Sequence, residues 1–181
     1  LVALIPLFPL LGVIINGFFG NKIRTSFSGA IASLAVLAAF LVSLLIFFEL
    51  EHSEVKSHAV ALFSWIDSDA LKIPFEFLVD PLSSWFLLII TGIGFLIHIY
   101  STGYMHDDEG FSRFFTYLNL FVFFMLLLVL GNNYLIMFVG WEGVGLCSYL
   151  LIGFWFKNTG YNNAAKKDSI MNRVGDLGFL L

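Results

Sequence analysis

Leu135-Ile136-Met137-Phe138-Val139-Gly140-Trp141-Glu142-Gly143-Val144-Gly145-Leu146-Cys147-Ser148-Tyr149-Leu150-Leu151-Ile152-Gly153-Phe154 is an apolar run of membrane length with a single ionisable carboxylate, Glu142, near its middle. A run of about 18 or more apolar residues reads as a membrane-spanning helix. A carboxylate at its centre costs roughly 2.5–3.5 kcal/mol to insert, so an acid kept there reads by default as a functional group.

The rest of the chain agrees with a membrane setting. Of its 181 residues 59% are hydrophobic and only 12% charged, with a mean hydropathy of +0.92. Soluble domains are about 45–50% apolar and about 25% charged. The formal charge of −4 argues against nucleic acid, which calls for basic stripes. Cys147 is the single cysteine, so there is no disulfide framework or cysteine metal site. His52, His58, His98 and His106 do not share metal-ligand spacing. No glycine-rich phosphate loop or nucleophilic triad is visible. The chain begins without Met and stops inside an apolar run at Leu181, which reads as a piece of a longer protein.

Four segments organise the chain. Residues 1–48 form an N-terminal helix pair, with apolar runs at 2–19 and 27–48 around the basic turn Gly20-Asn21-Lys22-Ile23-Arg24-Thr25. Ser33 and Ser43 in the second run permit close helix contact. Residues 49–79 are acidic and extramembrane; two short runs, 59–66 and 71–77, flank Asp67-Ser68-Asp69 and read as a β-hairpin. Residues 80–131 hold the third and fourth spans, the third opened by Asp80 as N-cap and Pro81 at the first helical position. Residues 132–181 hold the opening stretch and a sixth helix from near Ala164. The expected fold is therefore all-α and polytopic, with about six transmembrane helices and a small hairpin between the second and third.

Basic residues fix the orientation. Lys22, Arg24, Arg113, Lys157, Lys166 and Lys167 fall on one side of an alternating count, Lys56 and Lys72 on the other. Positive loops stay inside, which puts the N-terminus and the acidic hairpin outside.

Within the spans three groups stand out: Glu142, Arg173 and Asp176. Arg173 and Asp176 are three residues apart and can pair on one helix face. From a start near Ala164, Asp176 lies about 18 Å along its helix, a depth it can share with Glu142. The functional reading is a proton relay through a bundle interior. The plainer reading is a structural pair, Arg173 neutralising Asp176, because an unpaired buried charge is strongly destabilising. Glu142 has no basic neighbour within a turn of its own helix, so its partner comes from elsewhere. Gly140, Gly143 and Gly145 lower the bulk around it and admit a helix or water, although small residues also serve packing alone. His98 sits toward the end of the third span; it can titrate, but a hydrogen-bonded interfacial role fits it better. Trp141, Trp155, Tyr100 and Tyr104 fit packing or an aromatic belt, and Asp107-Asp108-Glu109 a solvated loop.

Two stretches carry a family resemblance. One runs from Phe77-Leu78-Val79-Asp80-Pro81-Leu82-Ser83 to His98-Ile99-Tyr100-Ser101-Thr102-Gly103-Tyr104-Met105. The other joins Gly140-Trp141-Glu142-Gly143-Val144-Gly145 to Asn172-Arg173-Val174-Gly175-Asp176. Together they resemble the subunit L (chain 5) family, the antiporter-like membrane subunits of respiratory complex I. The resemblance covers nearly the whole chain and is weakest in the first two helices and the hairpin. It implies a non-redox, proton-translocating subunit of an NADH:quinone oxidoreductase, with residues 132–181 as the start of its antiporter-like domain. It implies that Glu142 works with a lysine of a seventh helix, beyond Leu181, and that Asp176 and Arg173 couple the subunit to its neighbour. This chain would bind no cofactor; NADH, flavin, iron–sulfur clusters and quinone would belong to partner subunits. Its partners would be the other membrane and peripheral subunits and the lipid bilayer, in a bacterial inner membrane ahead of a mitochondrial one. The large subunit of a multi-subunit Na+/H+ antiporter is the alternative, followed by a membrane hydrogenase subunit. An inert membrane scaffold is the reading from another class.

Overall fold

A computed structural model describes residues 1–20, 22–53, 57–68 and 71–180. The elements run α1 (Leu4–Phe19), α2 (Thr25–His52), β1 (His58–Ser68), β2 (Leu71–Val79), α3 (Pro81–Tyr104), α4 (Phe111–Leu130), α5 (Tyr134–Ile152) and α6 (Thr159–Leu180). The mainly helical, multi-pass architecture expected from the apolar runs is the one observed. Helices α2, α3, α4 and α5 are long and apolar enough to cross a membrane; α1 is apolar but has 16 residues. Helix α6 begins five residues before the expected Ala164 and carries Lys166, Lys167, Asp168, Arg173 and Asp176, so composition alone does not make it a span.

β1 and β2 pair antiparallel between α2 and α3, His58 opposite Val79 and Ser68 opposite Leu71. The expected turn reaches Asp69, which lies outside the described residues; Asp67 and Ser68 end β1. Lys56 and Glu54 also lie outside them.

The start of α3 shows why the sequence breaks where it does. Ser83 N donates to Asp80 Oδ1 at 2.7 Å and Asp80 N donates to Ser83 Oγ at 2.8 Å. Such reciprocal capping satisfies two donors that the first helical turn leaves orphaned, about 1 kcal/mol for the cap alone. Pro81, in that turn, has no N–H to leave unsatisfied. Asn133 caps α5 from one side only, its side-chain oxygen accepting from Ile136 N at 3.0 Å.

α4 is the hub of the bundle, packed against α1, α2, α3 and α5, while α6 lies against α5. The main core joins Ile5, Val36, Leu87, Val122, Leu126, Leu130 and Ile136 to Phe77 and Val79 of β2. Burying a residue such as Leu126 contributes about 1.5–3 kcal/mol relative to exposure in water. Ser33 and Ser43 are buried and bond back to Gly29 and Ala39 carbonyls, so they approach neighbouring helices without an orphaned hydroxyl. Asn16 and Ser28 bond one another across α1 and α2.

The connections sort by end. At one end, Asn132 Nδ2 donates to Glu76 Oε2 at 2.7 Å and Asn133 Nδ2 to the Pro74 carbonyl at 2.9 Å, so the α4–α5 turn sits on the hairpin. At the other, Ser112 Oγ donates to the Gly20 carbonyl, Arg113 Nη2 to the Phe154 carbonyl, and Trp155 Nε1 to Asp108 Oδ2 at 2.8 Å. The loops bearing Lys22, Arg24, Arg113 and Lys157 therefore share one end, the end opposite the hairpin, as the alternating count requires.

Asp108 is more than a solvated loop acid. It accepts from the Trp155 indole and from Gly110 N, and these bonds hold its carboxyl below the usual aspartate value of 3.8. A depressed folded value means a contribution present above the ordinary value and lost as pH falls through the folded one. Trp fluorescence should therefore change as pH is lowered below 3.8, and Trp155→Phe should remove that change. A second outcome concerns Gly140, where an added Cβ would meet Leu128 N at 2.5 Å and Leu128 Cα at 2.7 Å. Overpacking against backbone costs about 1–3 kcal/mol, so Gly140→Ala should lower the melting temperature of the purified protein in detergent.

Candidate functional site

The buried residues of α5 are Ile136, Gly140, Gly143 and Cys147, spaced four, three and four apart. That is one helical stripe, and it faces α4: Gly140 lies against Leu128 and Gly143 against the Phe124 ring. For Gly140 and Gly143 the packing reading is the one observed. Gly140 and Gly143 bring α4 close, and among the three only Gly145 faces α6, where its Cβ position lies 3.4 Å from Asn172 Nδ2. With the stripe committed to α4, Trp141 and Glu142 turn toward α6.

There the acids meet. Arg173 Nη1 donates to Glu142 Oε1 at 2.6 Å and, from the same nitrogen, to Asp176 Oδ2 at 3.4 Å. Trp141 Nε1 donates to Asp176 Oδ1 at 2.8 Å. Helix α6 starts at Thr159, which places Asp176 about 25 Å along it rather than 18 Å. The shared depth of Asp176 and Glu142 follows instead from these contacts. Asp176 is buried, with 6% of its surface exposed; Glu142 is half-buried, and the Arg173 side chain is 68% exposed on its outer side. Arg173 is the cation against Glu142 among the described residues, a contact that the sequence reading did not assign to it.

The ion pairs border a cleft of about 510 Å³ between α5 and α6, lined also by Asp168, Asn172, Ser148 and Tyr149. Asn172 Nδ2 reaches Asp168 Oδ2 at 3.5 Å. Asp168, Asn172 and Asp176 recur every four residues on one face of α6. That spacing is present in the sequence, although only Arg173 and Asp176 stand out there as costly charges. The arrangement can hold charge and carry protons among three carboxylates, one guanidinium and polar side chains.

His98 stands apart from the cleft. It is fully buried within the bundle on α3; its Nδ1 bonds the Gly94 carbonyl at 2.7 Å and its ring lies 6.0 Å from that of Phe115. Helix α3 runs on six residues past His98, to Tyr104.

Comparison with known proteins follows the same outline. Residues 65–115 match the model for NADH-ubiquinone oxidoreductase (complex I), chain 5 N-terminus, and residues 131–181 that for NADH:quinone oxidoreductase/Mrp antiporter, TM. NADH-ubiquinone oxidoreductase chain 5 of Metridium senile is 45% identical over 96% of this chain and 29% of its own length. NADH-quinone oxidoreductase subunit L of Rickettsia bellii is 41% identical over 98% of this chain and 28% of its own. This chain thus spans under a third of those two relatives. Among solved structures, the Mrp complex from Dietzia sp. DQ12-45-1b has a chain that superposes with a TM-score of 0.81 at 23% identity, over 99% of this chain and 18% of that one. At that identity the likeness is one of fold.

The shared guanidinium makes a stability test direct. Arg173→Gln leaves Glu142 without its cation and should cost about 1.5 kcal/mol, the low end for a bond to a charged group because the guanidinium is exposed on one side. Thermal denaturation in detergent reads the loss, and Arg173→Lys should recover part of it.

Proposed function

The chain belongs to the chain 5 (subunit L) family of NADH:quinone oxidoreductases, and from that premise we propose that it is part of a proton-translocating membrane subunit of respiratory complex I. The observation that carries the reading is one nitrogen, Arg173 Nη1, placed 2.6 Å from Glu142 and 3.4 Å from Asp176. A cation close to a carboxylate favours its ionised form, and withdrawal of that cation favours proton uptake. A small rotation of Arg173 toward Asp176 transfers positive charge away from Glu142. Glu142 then takes a proton from the cleft, and return of the guanidinium drives it out. Charge displaced elsewhere in the complex would supply the push.

In this reading Glu142 carries the proton, Arg173 and Asp176 set its charge balance, and His98 has at most a minor part. Beyond proton transfer at Glu142 the subunit carries out no bond chemistry and no redox step. NADH, flavin, iron–sulfur clusters and quinone sit in partner subunits, and electron transfer there is coupled to proton movement here. The partners are other membrane and peripheral subunits, and the setting is a multi-pass position in a lipid bilayer. The bilayer is a bacterial inner membrane ahead of a mitochondrial one. A Na+/H+ antiporter subunit is the alternative, supported by the fold shared with the Mrp complex. Co-purification with flavin and iron–sulfur subunits separates the two.

Glu142→Gln keeps the size of the side chain and removes its charge. In the assembled complex, in sealed vesicles, it should lower proton translocation per NADH oxidised. Normal translocation with normal assembly would remove Glu142 from the path and favour an inert scaffold.

A further inference from the structure

Two carboxylates compete for one guanidinium nitrogen, and the less local one wins. Asp176 lies three residues from Arg173 on the same helix, a spacing that ordinarily favours pairing. Yet Arg173 Nη1 is 3.4 Å from Asp176 Oδ2 and 2.6 Å from Glu142 Oε1 on another helix. Charged N–H···O bonds are strong near 2.7–2.9 Å and weak well beyond about 3.2 Å.

What separates the two acids is a second donor. Trp141 Nε1 donates to Asp176 Oδ1 at 2.8 Å, so the charge of Asp176 is shared between the indole N–H and Arg173, whose contact falls on the other oxygen at 3.4 Å. The indole is itself held, stacked on Phe179 of α6 with ring centres 6.0 Å apart and planes at 19°. Trp141 also precedes Glu142 directly, so α5 fixes the donor and the competing acid about 100° apart around one axis. The indole N–H does not ionise in the working range and carries one hydrogen, so it is a constant claim on one oxygen.

We propose that Trp141 is a positioning residue: by occupying Asp176 Oδ1 it weakens that carboxylate's hold on Arg173 and so delivers the guanidinium to Glu142. Trp141 carries no proton itself. The inference rests on the reading of Glu142 as the proton carrier and adds what decides the resting place of its cation. Without the indole N–H, the charge of Asp176 is shared with no second donor, so Arg173 moves toward Asp176 and away from Glu142.

The test uses the full-length protein in its assembled complex in sealed vesicles, with proton uptake measured per NADH oxidised. Trp141→Phe keeps a flat ring and loses the donor; benzothienylalanine at position 141 keeps the whole indole shape and replaces only the N–H. Both should reduce proton uptake per NADH, with the amount of assembled complex unchanged. Trp141→His, which retains a ring N–H, should recover part of the loss. Because Trp141 acts through Asp176, Trp141→Phe combined with Asp176→Asn should be no worse than Asp176→Asn alone. Full proton uptake with benzothienylalanine overturns the proposal, and so do losses that add in the double variant. If Trp141→Phe fails to assemble, the shape-matched analogue decides the matter. A Glu142→Gln complex that pumps normally removes the underlying reading. One that fails to pump, beside a normal benzothienylalanine complex, removes this inference alone.

Discussion

Everything at the site depends on the close approach of α5 to α4. Gly140 and Gly143 put bare backbone against Leu128 and Phe124, and with Ile136 and Cys147 they use up one stripe of α5. A helix with one face locked has its rotation fixed. The next residues round the axis, Trp141 and Glu142, then have only α6 to face. The packing of two apolar helices thus sets the electrostatics of a third, and a methyl group in the α4–α5 seam would reach the acids through rotation of α5.

The polar side of α5 follows a different logic. Gathering Glu142, Asp176 and Arg173 lets each acid be desolvated against a hydrogen-bonded cation or donor, the condition under which buried charge is tolerated. The arrangement stops short of full neutralisation: with Asp168 in the cleft, three carboxylates face one guanidinium. A fully matched pair would be inert. An acidic surplus around a shared cation can be tipped by a small displacement, which would suit the role proposed for Glu142.

Much of this is legible in the residues. Apolar run lengths give the helices, Asp80-Pro81 gives a helix start that the capping bonds bear out, and the short runs beside Asp67 give a hairpin. Basic residues sort the loops by end. Glu142, Arg173 and Asp176 stand out because charge in an apolar run is costly wherever the helices lie. What stays hidden is rotation. α5 is apolar around most of its circumference, so no periodicity tells that Gly140 and Gly143 face α4, or that the Trp141 indole reaches Asp176 and not a membrane surface.

Helix α6 carries a lesson about assembly. It holds five charged side chains, Lys166, Lys167, Asp168, Arg173 and Asp176, and lies against α5. Entering a bilayer alone, it would have to desolvate Arg173 and Asp176 with only each other for company, at a cost of roughly 2.5–3.5 kcal/mol for each central charge. Once α5 is in place, Glu142 and the Trp141 indole are ready-made partners and much of that cost disappears. The contacts that set the charge balance would thus also offset much of the cost of seating the least apolar helix beside α5 in a bilayer.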